Sequence, residues 1–155
     1  VTRPLAIPLA SLLFLLTPQF ALAQKLDLSV SPATISFPTA DPDVVPTISA
    51  APITVQVRVR QLVPIVGQWQ LSVLANGDLV SGSSTIPVTN VTWNATPAPP
   101  FQNGTLSRTT AQRMAGGTAN ENPAVNGSVT FRLANSWTYI AGTYTQTLVF
   151  TLSSP

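Results

Sequence analysis

The chain has 155 residues, enough for one domain, and carries only 7 basic and 5 acidic side chains, with no histidine and no cysteine. A charged content of 8% beside 45% hydrophobic residues argues against disorder and leaves no basic patch suited to nucleic acid. The missing His and Cys exclude a Ser-His-Asp triad, a cysteine nucleophile, a disulfide staple and the preferred ligands of zinc and copper.

Residues 1–23 read as a secretory signal peptide. Arg3 supplies the positive n-region, "LAIPLASLLFLL" at 5–16 the apolar h-region, and "ALA" at 21–23 a small-x-small cleavage site. Pro4, Pro8 and Pro18 interrupt the run, which is shorter than the ~20 residues a spanning helix needs. Cleavage removes Arg3, lowers the net charge from +2 to +1, and leaves 24–155 as a single domain with no further membrane span. Localisation is therefore expected to be secreted, extracellular or at the cell surface.

"LDLSVSPATISF" at 26–37 alternates Leu26, Leu28 and Val30 and predicts an edge strand broken at Pro32. "PTADPDVVPTISAAP" at 38–52 predicts a loop. Its "DPD" offers Asp41 and Asp43 to a calcium ion, but a hard-cation cage needs six or more oxygens, so solvated acids are expected and no metal. "ITVQVRVR" at 53–60 is the clearest strand, with Ile53, Val55, Val57 and Val59 inward. The same alternation sends Arg58 and Arg60 to the surface, where they are candidates for an anionic polymer or simply a solvated face.

"WQLSVLA" at 69–75 puts Trp69, Leu71 and Val73 on one face, and "NGD" at 76–78 signals a turn. "TIPVTNVTW" at 85–93 holds one or two short strands with Ile86, Val88, Val91 and Trp93 inward. From 94 to 126 the chain is rich in Pro, Gly, Asn and Thr and reads as long loops, with a short strand near Thr105–Arg108 and a helical turn in "TAQRMA". "GSVTFRLA" at 127–134 restores alternation. Residues 143–152 place Tyr144, Leu148, Phe150 and Leu152 on the inward face of a final strand. The sum is an all-β, antiparallel, immunoglobulin-like β-sandwich of about 6–8 strands.

Chemistry is poorly supplied. The five carboxylates, Asp27, Asp41, Asp43, Asp78 and Glu121, show no spacing that pairs two of them for glycoside hydrolysis. A non-enzyme without cofactor is expected. Sequons at Asn90, Asn94, Asn103 and Asn126 are read as turn and strand-edge residues. Trp69 is expected in the core, whereas Trp137 and Tyr139, in "NSWTY" between two strands, are candidates for stacking on a glycan or for core.

"WQL" at 69–71 and "YTQTLVFTLSSP" at the end together resemble the WxL domain of bacterial surface proteins. Trp69 and Leu71 match the family's first Trp-x-Leu; "FTL", Phe150 to Leu152, matches the second with Phe in place of Trp, behind Tyr144 and its threonines. The resemblance implies a secreted sandwich bound non-covalently to cell-wall polymer or to other surface proteins, with these five positions mainly structural. The low charge and Pro/Thr richness are also similar to pilin-like and spore-coat-like sandwiches. That likeness implies self-assembly into a filament by strand exchange, for which Leu26, Leu28 and Val30 fit a donor strand and equally the first strand of a closed monomer. A carbohydrate-binding module is the third reading.

Overall fold

The computed structural model describes residues 25–60 and 68–154; the signal-peptide reading lies outside the described residues. They form eleven strands: β1 Lys25–Ser31, β2 Thr47–Ser49, β3 Ile53–Arg60, β4 Trp69–Ala75, β5 Leu79–Ser81, β6 Ser84–Ile86, β7 Val91–Thr96, β8 Gly104–Thr105, β9 Gln112–Gly117, β10 Glu121–Ala134 and β11 Leu148–Ser153. All pair antiparallel. One sheet runs β1-β3-β10-β7-β8 with β2 beside β10; the second runs β11-β4-β9; β5 and β6 make a separate ribbon. Seven strands have six residues or more, and these carry the two facing sheets of the expected sandwich.

The core follows from alternation. Ile53, Val55, Val57 and Val59 of β3 and Val129, Phe131 and Leu133 of β10 are buried against Trp69, Leu71, Val73 and Ala75 of β4. Phe131 lies directly opposite Trp93 on β7, with ring centroids 6.4 Å apart and planes tilted by 50°. Ile86, Val88 and Val91 are buried as their phase requires.

Four segments differ from the sequence reading. The 38–52 loop contains β2, too short at three residues to show a period. "AQRMA" is not a helical turn: Gln112–Gly117 is strand β9, paired along β4 with a register shift at Leu71/Ser72. The strand expected at 127–134 begins at Glu121 and runs 14 residues, because "ENPAVN" pairs with the far end of β3 through a bulge. The last strand starts at Leu148, not Thr143; it lies at one end of its sheet, with Leu148, Phe150 and Leu152 half-buried and packed against the core. Thr145 makes only an isolated bridge to Val80.

The sandwich is closed on one side by the 97–107 segment. Gln102 N–H donates to the Met114 carbonyl at 2.8 Å and Gly116 N–H to Pro100 at 3.2 Å, which seats Phe101 on β9. Leu106 bonds to Val91 on one sheet and Ser107 to Ala75 on the other. Two glycines make this closure fit: a Cβ on Gly104 would lie 2.3 Å from the Trp93 ring, and one on Gly127 2.5 Å from Phe101. On the opposite side β1 and β11 are the two edges. Between them lies a largely apolar cavity of about 390 Å³, bordered by Val30, Ile35 and Phe37 on one flank and Tyr144, Leu148 and Phe150 on the other.

Candidate binding surface

The end of the sandwich where β10 finishes carries an ordered apolar platform built from two loops. In the first, the Asp41 carboxylate accepts from Asp43 N–H at 2.9 Å, and the Asp41 carbonyl accepts from Val44 and Val45 N–H at 3.1 and 2.7 Å. These bonds wind the "ADPDVV" loop into a turn. In the second, the Ser136 hydroxyl accepts from Thr138 N–H at 3.2 Å and the Ser136 carbonyl from Tyr139 N–H at 3.2 Å.

Asn135 joins the loops. Its side-chain amide donates to the carbonyls of Ala40 at 3.0 Å and Val45 at 3.1 Å, and its N–H donates to Pro46 at 2.9 Å. The Trp137 indole N–H donates to the Asp43 carboxylate at 3.0 Å. With its polar edge so occupied, the ring stays 68% exposed; on the same two loops Val44 is 76% and Ile140 70% exposed. Three large apolar side chains are thus exposed on two loops that Asn135 joins by hydrogen bonds. The Tyr144 hydroxyl donates to the Ile140 carbonyl at 2.9 Å and ties this platform to the segment before β11.

Tyr139 behaves differently from its neighbour. It is half-buried against the core, and its hydroxyl accepts from the Asn90 side-chain amide. It anchors its loop to the core, while Trp137 of the same loop stays exposed. Asn103 caps the Ala95 N–H at 2.9 Å and Asn126 accepts from Gln56 at 3.0 Å, so three sequon asparagines have side chains engaged within the fold.

Arg58 and Arg60 are not part of this site. On β3 they lie beside the Glu121 end of β10, whereas Trp137 follows its Ala134 end, 13 residues along the strand. Arg60 bonds Asp27 across the β1–β3 pair at 2.8 Å, and the Arg58 and Arg60 Nε atoms are buried without a hydrogen-bond partner among the described residues. Asp78 is engaged by Val88 N–H at 3.0 Å and by Arg108 at 3.1 Å. Among the described residues no three His, Cys, Asp or Glu side chains gather in one place, and no helix is long and apolar enough to cross a membrane.

The motif residues have a common location. Trp69 and Leu71 on β4 are buried, and β11 pairs with β4 so that Leu152 faces Leu71 and Phe150 faces Val73. The two distant "WQL" and "FTL" stretches are therefore adjacent rungs of one sheet. Val44 and Ile140 were missed as surface candidates by sequence reasoning; an apolar residue in a Pro- or Ser-rich loop carries no phase that distinguishes outward from inward. No protein-family model matches the chain, and no curated protein or solved structure is significantly similar to it.

Proposed function

We propose that the chain is a secreted, non-catalytic module of the cell surface that binds cell-wall polymer, or a surface protein that displays it, through the Val44–Trp137–Ile140 platform. The observation that carries this reading is the exposed Trp137 ring. Its N–H is committed to Asp43, so its faces are left for contact. Aromatic and aliphatic surface at the end of a sandwich suits the apolar faces of sugar rings, and it needs no cofactor or metal. The proximity of the two motif stretches on β4 and β11 supports the similarity to the WxL domain and, with it, the wall-facing role.

Retention of the purified chain on isolated cell-wall sacculi, washed at moderate salt, tests the reading. Wild type is expected to be retained and Trp137→Ala to be lost with an unchanged unfolding curve. Equal retention of the two, or none of wild type, overturns it. The second reading, a filament subunit assembled by strand exchange, draws on β1: it docks at a sheet edge along β3 with Leu26, Leu28 and Val30 only half-buried. Fibres by negative-stain microscopy, with no sacculus retention, favour that reading.

A further inference from the structure

Packed protein interiors leave few voids larger than a water molecule. The cavity on the β1/β11 side, at about 390 Å³, is far larger and falls in the ~300–1,000 Å³ range of small-molecule sites. The approach of β1 to β11 does not fill it. Its floor is the core itself: Ile53, Leu79, Val88, Val91, Leu106 and Phe131 all border it and are all buried. Its mouth is framed by the chain after β1, Pro32 to Ile35, and the chain before β11, Tyr144 to Thr147. Ala33, Thr34, Thr145 and Thr147 are exposed there, so the mouth reaches solvent.

The lining selects the chemistry of an occupant. No Asp, Glu, Lys or Arg borders the cavity among the described residues, so nothing there neutralises a charged ligand. The larger polar groups at the mouth are spent within the fold. The Gln146 amide donates to the Gly77 and Asp78 carbonyls, and its oxygen accepts from Thr147 N–H at 2.5 Å. The Tyr144 hydroxyl donates to the Ile140 carbonyl at 2.9 Å. Water in a cavity needs two to four polar partners, and a sugar needs more. The floor offers neither of them a partner, and the mouth offers mainly threonine hydroxyls. An apolar cavity of about 150 Å³ stays dry and admits benzene, so this one has room for about ten carbon atoms or more. It lies between sheets whose backbones stack about 10 Å apart, which leaves space for one chain and not two.

We infer that this cavity is a binding site for a single aliphatic chain of about ten carbons, which lies on the Val88–Val91–Phe131 floor and ends in an uncharged polar group at the threonine mouth. None of Val44, Trp137 and Ile140 borders it, so it is a second site, and it does not depend on wall binding by the platform.

Fluorescence titration of the purified chain with N-phenyl-1-naphthylamine, a neutral apolar probe, tests the site. Saturable binding at one probe per chain is expected, with displacement by 1-decanol. Decanoate, which places a carboxylate at a mouth without a cation, should displace at least tenfold more weakly. Val88→Phe puts a ring into the cavity and should weaken probe binding at least tenfold. Ile35→Trp, on the half-buried flank, fills the cavity from the other side and should do the same without disturbing the floor. Decanol should also raise the urea midpoint of wild type and leave that of the filled variants unchanged, a reading that needs no probe. Trp137→Ala should bind the probe as wild type does, so loss of sacculus retention and loss of this site are separate results. Absence of saturable probe binding to wild type, failure of decanol to displace it, or wild-type affinity in both filled variants overturns the proposal. Decanoate equal to decanol overturns the uncharged end.

Discussion

The two sides of the sandwich are closed by different means. On the 97–107 side, backbone hydrogen bonds bridge the sheets and large aromatic rings lie on glycines; Trp93, Phe101 and Leu106 are all buried. On the β1/β11 side the sheets meet through half-buried side chains around a cavity, and β1 and β11 approach each other without hydrogen-bonded pairing among the described residues. Both sides use the same apolar residue types. The difference lies in what backs each side chain: a glycine-lined slot with hydrogen bonds running between the sheets, or an open apolar cavity. The closed side is where stability should concentrate, and the open side and the loop platform are where contacts with other molecules can be made.

The largest expected effect of breaking this contrast is on the closed side. Phe101→Ala should cost about 3–5 kcal/mol, read by urea denaturation, since it empties a slot shaped by Gly127 that cannot collapse onto a rigid strand. Trp69→Ala, buried under β9, belongs to the same class and should cost a similar about 3–5 kcal/mol. Gly104→Ala comes next at about 1–3 kcal/mol, because the new methyl must displace the Trp93 ring, which is anchored by its indole N–H to the Gln102 carbonyl at 2.8 Å.

On the open side Phe150→Ala should cost only about 1–2 kcal/mol, because the side chain is half-buried and already borders a cavity. A loss as large as that of Phe101→Ala would erase the proposed asymmetry. Smallest of all, Asp27→Asn removes the partially exposed pair with Arg60 and should cost less than about 1 kcal/mol, with the difference shrinking as salt is raised. A salt-independent effect would show that the pair is held more rigidly than its exposure implies.

The strongly periodic stretches were legible from the sequence. "ITVQVRVR" and "WQLSVLA" show which face is buried through alternation alone, and both form strands with the expected phase. β9 and the first half of β10 were not legible. Gly116 and Gly117 read as turn residues, yet they are strand positions that make room for the Trp69 backbone and indole; a Cβ on Gly117 would sit 2.9 Å from the indole nitrogen. "ENPAVN" carries one proline and two asparagines and little alternation, and it becomes strand only because β3 is long enough to pair with it. The candidate site was half legible: Trp137 stood out by residue type, but its partner Asp43 is 94 residues away in sequence.

The sequence by itself determined the all-β class, the inward faces of the long strands and the absence of histidine and cysteine chemistry, because alternation and composition are local properties. Only the tertiary structure decided that Leu71 and Leu152 share a rung, that the Trp137 N–H is held by Asp43 while Tyr139 packs on the core and bonds Asn90, and that β11 lies at the end of its sheet. Each of these depends on which distant segments become neighbours. That pairing is set by summed packing across both sheets, which no single stretch of sequence encodes.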